Sequence, residues 1–554
     1  MLLTRTTTFT ADDVTATALL NCLVREVCAP EQQVWQDDAH LVVRLPRVGV
    51  VLRARLARPS AGPSYRLVPP YEERRDDEWL AAPWDRLSDL VAGELELATG
   101  EANPEFAAQV ADSHAALTAI LRARGDSPSG ALPSPAVHRY VESEQSLIAG
   151  HRFHPSPKAR QGAPEQWLPY APEARARFRP HWLAVRQELV AEEGDTDAFS
   201  ALEALGPAVP PGYRALPAHP WQLSLLADRP LLRRALSEGL VHDLGPCGPE
   251  AAPTSSVRTV YVPDADLFCK FSLDVRITNC VRKNSWYELA GAVVLDRLLR
   301  PVFTTLGARF DDCVLLAEPA YRTAALADRA LYEGLGVILR RGIRDLPGTP
   351  LLAGALADPY GTLLPGLPAM ATPDGALAWW RAYVQRVAPP VLHAYVEHGV
   401  VLEPHLQNVL IAVDDDGMPL RAVFRDLEGT KLVAGRALAD ELADLPPRVR
   451  QSLIYDPGRG WNRVVYCLFV NHLAETAAAV ADLHPDLDAE LWTTARAVLS
   501  ALDIAHRPEL RALLAGVPLP AKANLRARWA RIADRGAGYV TAPNPLAPPA
   551  PLGP

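Results

Sequence analysis

The stretch from residue 400 to residue 430, VVLEPHLQNVLIAVDDDGMPLRAVFRDLEGT, has few options but to fold as a hairpin. Val409–Val413 is a short apolar strand candidate, and residues 420–424 supply the returning strand. Between them stand Asp414, Asp415, Asp416, Gly417, Met418 and Pro419. That is a turn, in which Gly supplies a positive φ and Pro needs no partner for an N–H. Folding near Gly417 carries Asn408 to the side of Arg425 and Asp426. Glu403, His405, Asn408, Arg425 and Asp426 are then expected to converge at the open end. A single Asp or Asn after a strand is commonly a cap or a turn former. A carboxylate, an imidazole, an amide and an Arg–Asp pair at one point are costly to keep for packing alone. They suit a metal-bound phosphate chain or a polyanionic substrate.

A second polar constellation lies in residues 254–299, TSSVRTVYVPDADLFCKFSLDVRITNCVRKNSWYELAGAVVLDRLL, with its last residue at 299. Residues 256–262 alternate like a strand, which would set Ser256 and Arg258 on one face. Residues 263–266 turn and residues 267–273 return, bringing Lys270 close to that strand. Thr278 and Arg282 are four apart, so a helical turn would stack them. Ser285 with Glu288 forms a capping box that opens a helix through Leu299, and its N-terminus favours an anion. Three cations and two hydroxyls in one compact unit make an anion pocket. Solvated surface charge is the usual alternative, but Lys270 interrupts an apolar run, LFCKFSL.

A third cluster, AGHRFHPSPKARQG at residues 149–162, sets His151, His154 and Lys158 in a Pro-rich loop. In the motif HPWQ at residues 219–222, Trp221 is read as a side chain that buries a loop.

Charge and composition limit what these clusters can serve. The chain has 554 residues, a net charge of −9 and a pI near 5.9, which argues against general nucleic-acid binding. Its length suits roughly three to four domains. The seven cysteines are scattered, without a C-x-x-C pair, which favours a reducing compartment and excludes a zinc knuckle. The opening residues lack an apolar core long enough for a signal peptide, and no apolar run is read as a membrane span. A cytoplasmic protein is expected, with no nucleic-acid or membrane partner.

Helical periodicity marks residues 12–27 and 84–99, with short strands at residues 35–56 between them. Residues 125–135 are a Gly/Pro/Ser-rich linker. Residues 379–397 form an amphipathic helix leading into the hairpin, and helical pattern resumes from Trp461. Residues 541–554 are Pro-rich and aperiodic, so a disordered, dispensable tail is expected. The fold class is α+β.

Taken in order, these pieces resemble the NRPS-independent siderophore synthetases of the IucA/IucC type. The matching units are HRFHPSPK, HPWQ, SVRT, Lys270, TNCVR, EPHLQN and the RD that follows, spread over residues 151–428. Where the family pattern has Pro after the first His of the loop, this chain has Arg152. The resemblance implies a cupped hand: a helical thumb at residues 1–131, β-rich fingers at 132–345, and a palm at 346–540 built on a kinase-like hairpin core. It implies a homodimeric ATP- and Mg²⁺-dependent ligase. Such an enzyme activates a carboxylate, commonly of citrate, as an acyl-adenylate and joins it to an amine, hydroxylamine or alcohol. A citrate monoamide, a succinyl-amine or 2-oxoglutarate are alternative acids.

By the same resemblance, Ser256, Arg258 and Lys270 contact the ATP phosphates, and His154 and Lys158 line the anionic end of the nucleotide site. Thr278, Arg282 and His405 hold the substrate carboxylates and the attacked phosphate. Catalysis then rests on His405, Arg282, Thr278 and Lys270. Glu403, Asn408 and Asp426 position nucleotide and Mg²⁺. A small-molecule phosphotransferase with a kinase-like palm is the rival from another class. Against it, no Gly-rich phosphate loop precedes the site. A non-catalytic anion receptor is a further rival, but it gains nothing from added carboxylates.

Overall fold

The computed structural model describes residues 9–60, 64–125, 132–277, 280–311, 313–533 and 536–548. The chain starts with the helix Ala11–Leu23, capped where the Thr10 hydroxyl accepts the Asp13 N–H at 3.1 Å. A π-helical turn, Val24–Cys28, extends it. Five antiparallel strands follow in a meander from Val34–Asp37 to Glu78–Ala81. Sequence periodicity found only part of this sheet. The strand Leu67–Arg75 carries Pro69, Pro70 and four charged residues, which hide its alternation. The helices Trp84–Thr99 and Glu105–Gly125 close this region.

The central part holds a six-stranded sheet in the order Ala252–Pro253, Thr259–Val262, Leu267–Phe271, Val337–Arg341, Ala320–Ala324, Val190–Gly194. A three-stranded sheet, centred on His181–Arg186, packs with it in one apolar core. Trp221 is buried in a loop-covering role, as its motif suggested.

The C-terminal part is built on the 26-residue helix Pro373–His398, whose Trp379, Trp380 and Tyr383 have no exposed surface. Thr372 caps its start and Gly399, at φ +68°, ends it. Against it lies the hairpin Val409–Val413 and Pro419–Phe424, with Gly417 at φ +80°. The Asp414 carboxylate accepts the Met418 N–H at 2.8 Å and tightens the turn. Both hairpin strands are almost wholly buried, so the polar residues at their open end are held on a rigid base.

One long helix, Pro457–Leu483, is apolar enough to cross a membrane by length and composition, which the sequence reading did not register. In the fold, 94% of its apolar window is buried among other elements, so it is a core helix. Its middle, Tyr466–Leu473, is π-helical.

The tail expectation fails for the part that the structure describes. Tyr539–Ala542 pairs antiparallel with Leu519–Lys522. Asn544 donates to the carbonyls of Leu513 and Val517 at 2.8 and 2.9 Å, and Leu546 is buried in the core. Apolar side chains at 540, 542 and 546 supply the packing that a proline count does not reveal. Residues 549–554 lie outside the described residues.

Candidate active site

The open end of the hairpin does gather polar side chains. The Arg425 N–H donates to the Asn408 carbonyl at 3.0 Å, one step beyond the strand pairing Val409 with Phe424. Asp426 then adopts a left-handed φ of +75°, uncommon for a residue with a side chain. That turn ends the strand and leaves the Asp426 carboxylate facing a cavity of about 700 Å³. Glu403, His405, Asn408, Asp426 and Glu428 all line it. Gly429 allows this closeness, because a Cβ there would sit 2.1 Å from a Glu403 carboxylate oxygen.

Arg425 does not join them. Its guanidinium turns into the interior and pairs with buried Glu144 at 2.5 Å. Glu144 also accepts the Ser255 N–H at 3.0 Å and the Ser255 hydroxyl at 2.9 Å. Burial opposes the Glu144 charge, but Arg425 and Ser255 hold the carboxyl below its ordinary range. The pair links the helix Pro135–Gln145 to the hairpin and to the loop before Thr259–Val262, so Arg425 is a structural cation.

The second constellation also differs in detail. The strand begins at Thr259, and Ser256, Val257 and Arg258 form a tight turn with Val257 at φ +66°. For a β-branched residue this is a strained conformation. The Ser256 hydroxyl accepts the Thr259 N–H at 3.2 Å, and the Arg258 N–H donates to the Ser256 carbonyl at 2.8 Å. The two side chains therefore reach the cavity from a turn rather than from one strand face. The strands Leu273–Ile277 and Cys280–Arg282 pair antiparallel, so Arg282 lies on a strand and not on a helical turn. Thr278 lies outside the described residues. The capping box is present as read: the Ser285 N–H donates to Glu288 at 2.8 Å at the head of the helix Trp286–Arg309.

Lys270 is 1% exposed and reaches Asp426 at 2.5 Å, Glu428 at 3.4 Å and Glu318 at 3.9 Å. Burial opposes its charge, yet these carboxylates raise its pKa above the ordinary value. Burial likewise opposes the Asp426 charge, and Lys270 and Arg340 hold that carboxyl far below its usual range. Arg258 pairs with Glu428 and donates to the Asn284 side-chain oxygen at 2.5 Å. Glu428, Glu318 and Asn284 were not singled out in the sequence. Glu428 follows the RD motif by two residues, and only that spacing could have pointed to it.

The Pro-rich loop forms the opposite wall. Lys158 is buried and pairs with Glu173 at 2.5 Å, and Arg160 shares the same carboxylate. His154 is buried on the lining. His151 opens to the cavity, accepts the Phe153 N–H through Nδ1 at 3.1 Å, and meets the Asn471 side chain through Nε2 at 2.7 Å. Arg152, which departs from the family pattern, pairs with Glu475 at 2.9 Å. Asn471 belongs to the π-helical segment, and its oxygen accepts the Leu406 N–H at 3.2 Å. It thus ties the His151 loop to the EPHLQN loop, and π-turns inside helices are frequent at such places. Burial lowers the His405 imidazole below its ordinary pKa, so it is neutral at pH 7. Glu403 pairs with Arg463 at 3.2 Å.

Every described residue of the proposed set thus lies on this cavity or, for Lys270, directly behind it. A profile of the IucA / IucC family matches residues 139–358. Rhizobactin siderophore biosynthesis protein RhbC of Rhizobium meliloti is 30% identical, over 94% of each chain. The chain belongs to the IucA / IucC family.

It belongs thereby to the ligases of siderophore assembly. An L-2,3-diaminopropanoate–citrate ligase of Staphylococcus aureus is 31% identical, and that match spans 62% of each chain. The fold is that of ATP-bound aerobactin synthetase IucA from Klebsiella pneumoniae, with a TM-score of 0.83 and 24% identity. That superposition covers 97% of this chain and 100% of the other. A second profile, described as a ferric iron reductase FhuF-like transporter, matches residues 377–537. That segment contains one cysteine, Cys467, and so lacks the thiolates that hold an iron–sulfur cluster.

Proposed function

We propose that this IucA / IucC family member uses ATP to activate a carboxylate of citrate and condenses it with an amine. A carboxylate oxygen attacks the α-phosphorus and pyrophosphate leaves. The amine nitrogen then attacks the acyl carbon, AMP leaves, and one N–H proton passes to a base. The observation that carries the reading is the paired set Lys270–Asp426 and Arg258–Glu428, beside Arg282 and His405, gathered at one open cavity. Citrate carries about three negative charges at neutral pH and ATP about four. Bringing them into contact is the main barrier. Fixed cations, Lys270 and Arg282 on strands and Arg258 on a tight turn, offset it without reorganising as charge develops.

We assign the roles by the family resemblance, which placement on the cavity supports. Ser256 and Arg258 on the lining, with Lys270 behind Asp426, are assigned to the phosphates, and His154 and Lys158 to the far end of the nucleotide site. Arg282 grips a carboxylate with two parallel hydrogen bonds. Thr278 completes that grip as the family resemblance implies. His405 holds the substrate carboxylates and the attacked phosphate together with Arg282, as the family resemblance implies; its neutral ring still carries one N–H to donate.

We propose Mg²⁺ with the ATP. We assign it to Asp426, Asn408 and Glu403, oxygen donors on the cavity lining; Asp426 also pairs with Lys270 and Glu403 with Arg463. Mg²⁺ needs only one or two carboxylates when phosphate and water complete its shell. It would neutralise phosphate charge there. We also place the protein in the cytoplasm as a homodimer. The six described cysteines are unpaired, which suits a reducing compartment.

The test is product analysis with citrate, ATP, Mg²⁺ and hydroxylamine. Citryl-hydroxamate should form with one AMP and one pyrophosphate per turnover. Stoichiometric ADP would replace this reading with phosphotransfer.

A further inference from the structure

The cavity has an uneven charge inventory. Eight carboxylates line it, and six of them already face a cation. The other two, Glu288 and Asp358, accept the backbone N–H groups of Ser285 and Tyr360. Only these two lining carboxylates face no cation in an ion pair among the described residues. The cations are in surplus. Arg282, Lys431, Arg448, Arg459 and Lys522 line the cavity, and none is in an ion pair among the described residues.

The surplus is grouped. Arg448 lies on the helix Pro447–Leu453 with its guanidinium 4.9 Å from the centre of the Tyr287 ring, one residue into the helix that follows Arg282. Arg459 lies 3.9 Å over the Tyr455 ring. Tyr455 ends the strand paired with Lys431–Val433, and the helices Pro447–Leu453 and Pro457–Val465 that carry Arg448 and Arg459 both contact Lys431–Val433. The three cations therefore share one side of the cavity, where the Lys431 ammonium also donates to the carbonyls of Glu428 and Thr430. Both arginines are exposed there, whereas Arg282 lies half-buried further in. Stacking on a tyrosine holds a guanidinium in place without consuming its N–H groups. Two such forks at a cavity mouth are set to bind a carboxylate in a bidentate way.

On the proposed ligase reading, we infer that the amine substrate carries its own carboxylate, bound by Arg448 and Arg459 with Lys431. The nucleophile is then of the amino-acid class and not a polyamine or simple diamine. A polyamine would meet positive charge on this side of the cavity, where six of the eight lining carboxylates are already paired. The cationic mouth would also speed capture of an anionic amine at low salt.

Matched pairs of amines test this with the full-length protein, citrate and ATP. One pair is 2,3-diaminopropanoate against 1,2-diaminoethane, and the other is lysine against 1,5-diaminopentane. In the pair that turns over faster, the carboxylate-bearing amine should give a kcat/KM at least tenfold higher. Arg448→Glu and Arg459→Glu should each cut that preference at least tenfold, through KM for the carboxylate-bearing member. Arg448→Gln, which keeps the stem but not the charge, should fall between. Equal or better use of the diamine, use of neither member of either pair, or an unchanged preference in both charge-reversed variants overturns the inference. Hydroxamate formation by the parent separates the two failures. If citryl-hydroxamate forms while the diamine is preferred, the ligase reading stands and this inference falls. If none forms, both fall.

Discussion

Arg282 and Arg425 show how differently two arginines of one site are used. Arg282 faces the cavity without an ion-pair partner among the described residues. Arg282→Lys keeps the charge but loses the two-pronged grip. It should forfeit about 2–4 kcal/mol of transition-state stabilisation, about 30- to 1000-fold in hydroxamate formation, with an unchanged melting temperature. His405→Ala should abolish adenylate formation and also melt like the parent. Near-parental rates in both variants would place the site elsewhere. Arg425 behaves oppositely. Arg425→Met strands the buried Glu144 carboxylate and should cost about 3–5 kcal/mol of stability in urea denaturation. A loss under about 1 kcal/mol would mean that Ser255 alone satisfies Glu144.

At the scale of elements, the C-terminal strand is the sharpest case. Tyr539–Ala542 covers the strand Leu519–Lys522, and Lys522 lines the cavity. Ending the chain after Gly538 removes four ladder residues, the Asn544 bonds and the burial of Leu546. Unfolding free energy should fall by about 2–4 kcal/mol, and activity should fall with it as Lys522 loses its support. A truncated protein with parental melting temperature and rate would make the tail dispensable after all.

At the scale of the whole molecule, ion pairs join parts of the chain remote in sequence. Arg58 and Arg66 reach Asp482 at 2.8 and 2.6 Å, and Arg66 and Arg152 share Glu475. Glu173 stands buried between Lys158 and Arg160. Burial opposes its charge, but the two cations pull its pKa down to about 2. Asp426 and Glu428 are depressed as well. A carboxyl depressed in the folded state contributes stability above its unfolded pKa of about 4, and loses it as pH falls toward the folded value. Burial holds the imidazoles of His151, His219 and His472 neutral, with pKa values lowered to about 3, 3 and 4, so stability should begin to decline as pH falls below about 6.5 and drop more steeply between about 4 and 2 as the carboxyls protonate. Glu173→Gln should make that drop shallower. An acid limb identical in the variant would remove Glu173 from the account.

What the sequence determined by itself is what local chemistry determines. The turn at Gly417, the capping box at Ser285 and the alternation of apolar residues need only neighbours within a few positions. The ordered motifs from residue 151 to residue 428 carried the family resemblance for the same reason, since each motif is contiguous. The tertiary structure decided which charges are used up. Arg425 finds Glu144 across 281 residues, Lys270 finds Asp426 across 156, and Arg66 finds Glu475 across 409. No periodicity encodes such partners, because ion pairing depends on position in space and on shared burial. The tail was misread on the same ground: its few apolar residues gain a partner only once the strand Leu519–Lys522 is in place. The unpaired cations on the cavity, Arg282, Arg448 and Arg459 among them, are likewise a product of which carboxylates the fold brings within reach of which cations.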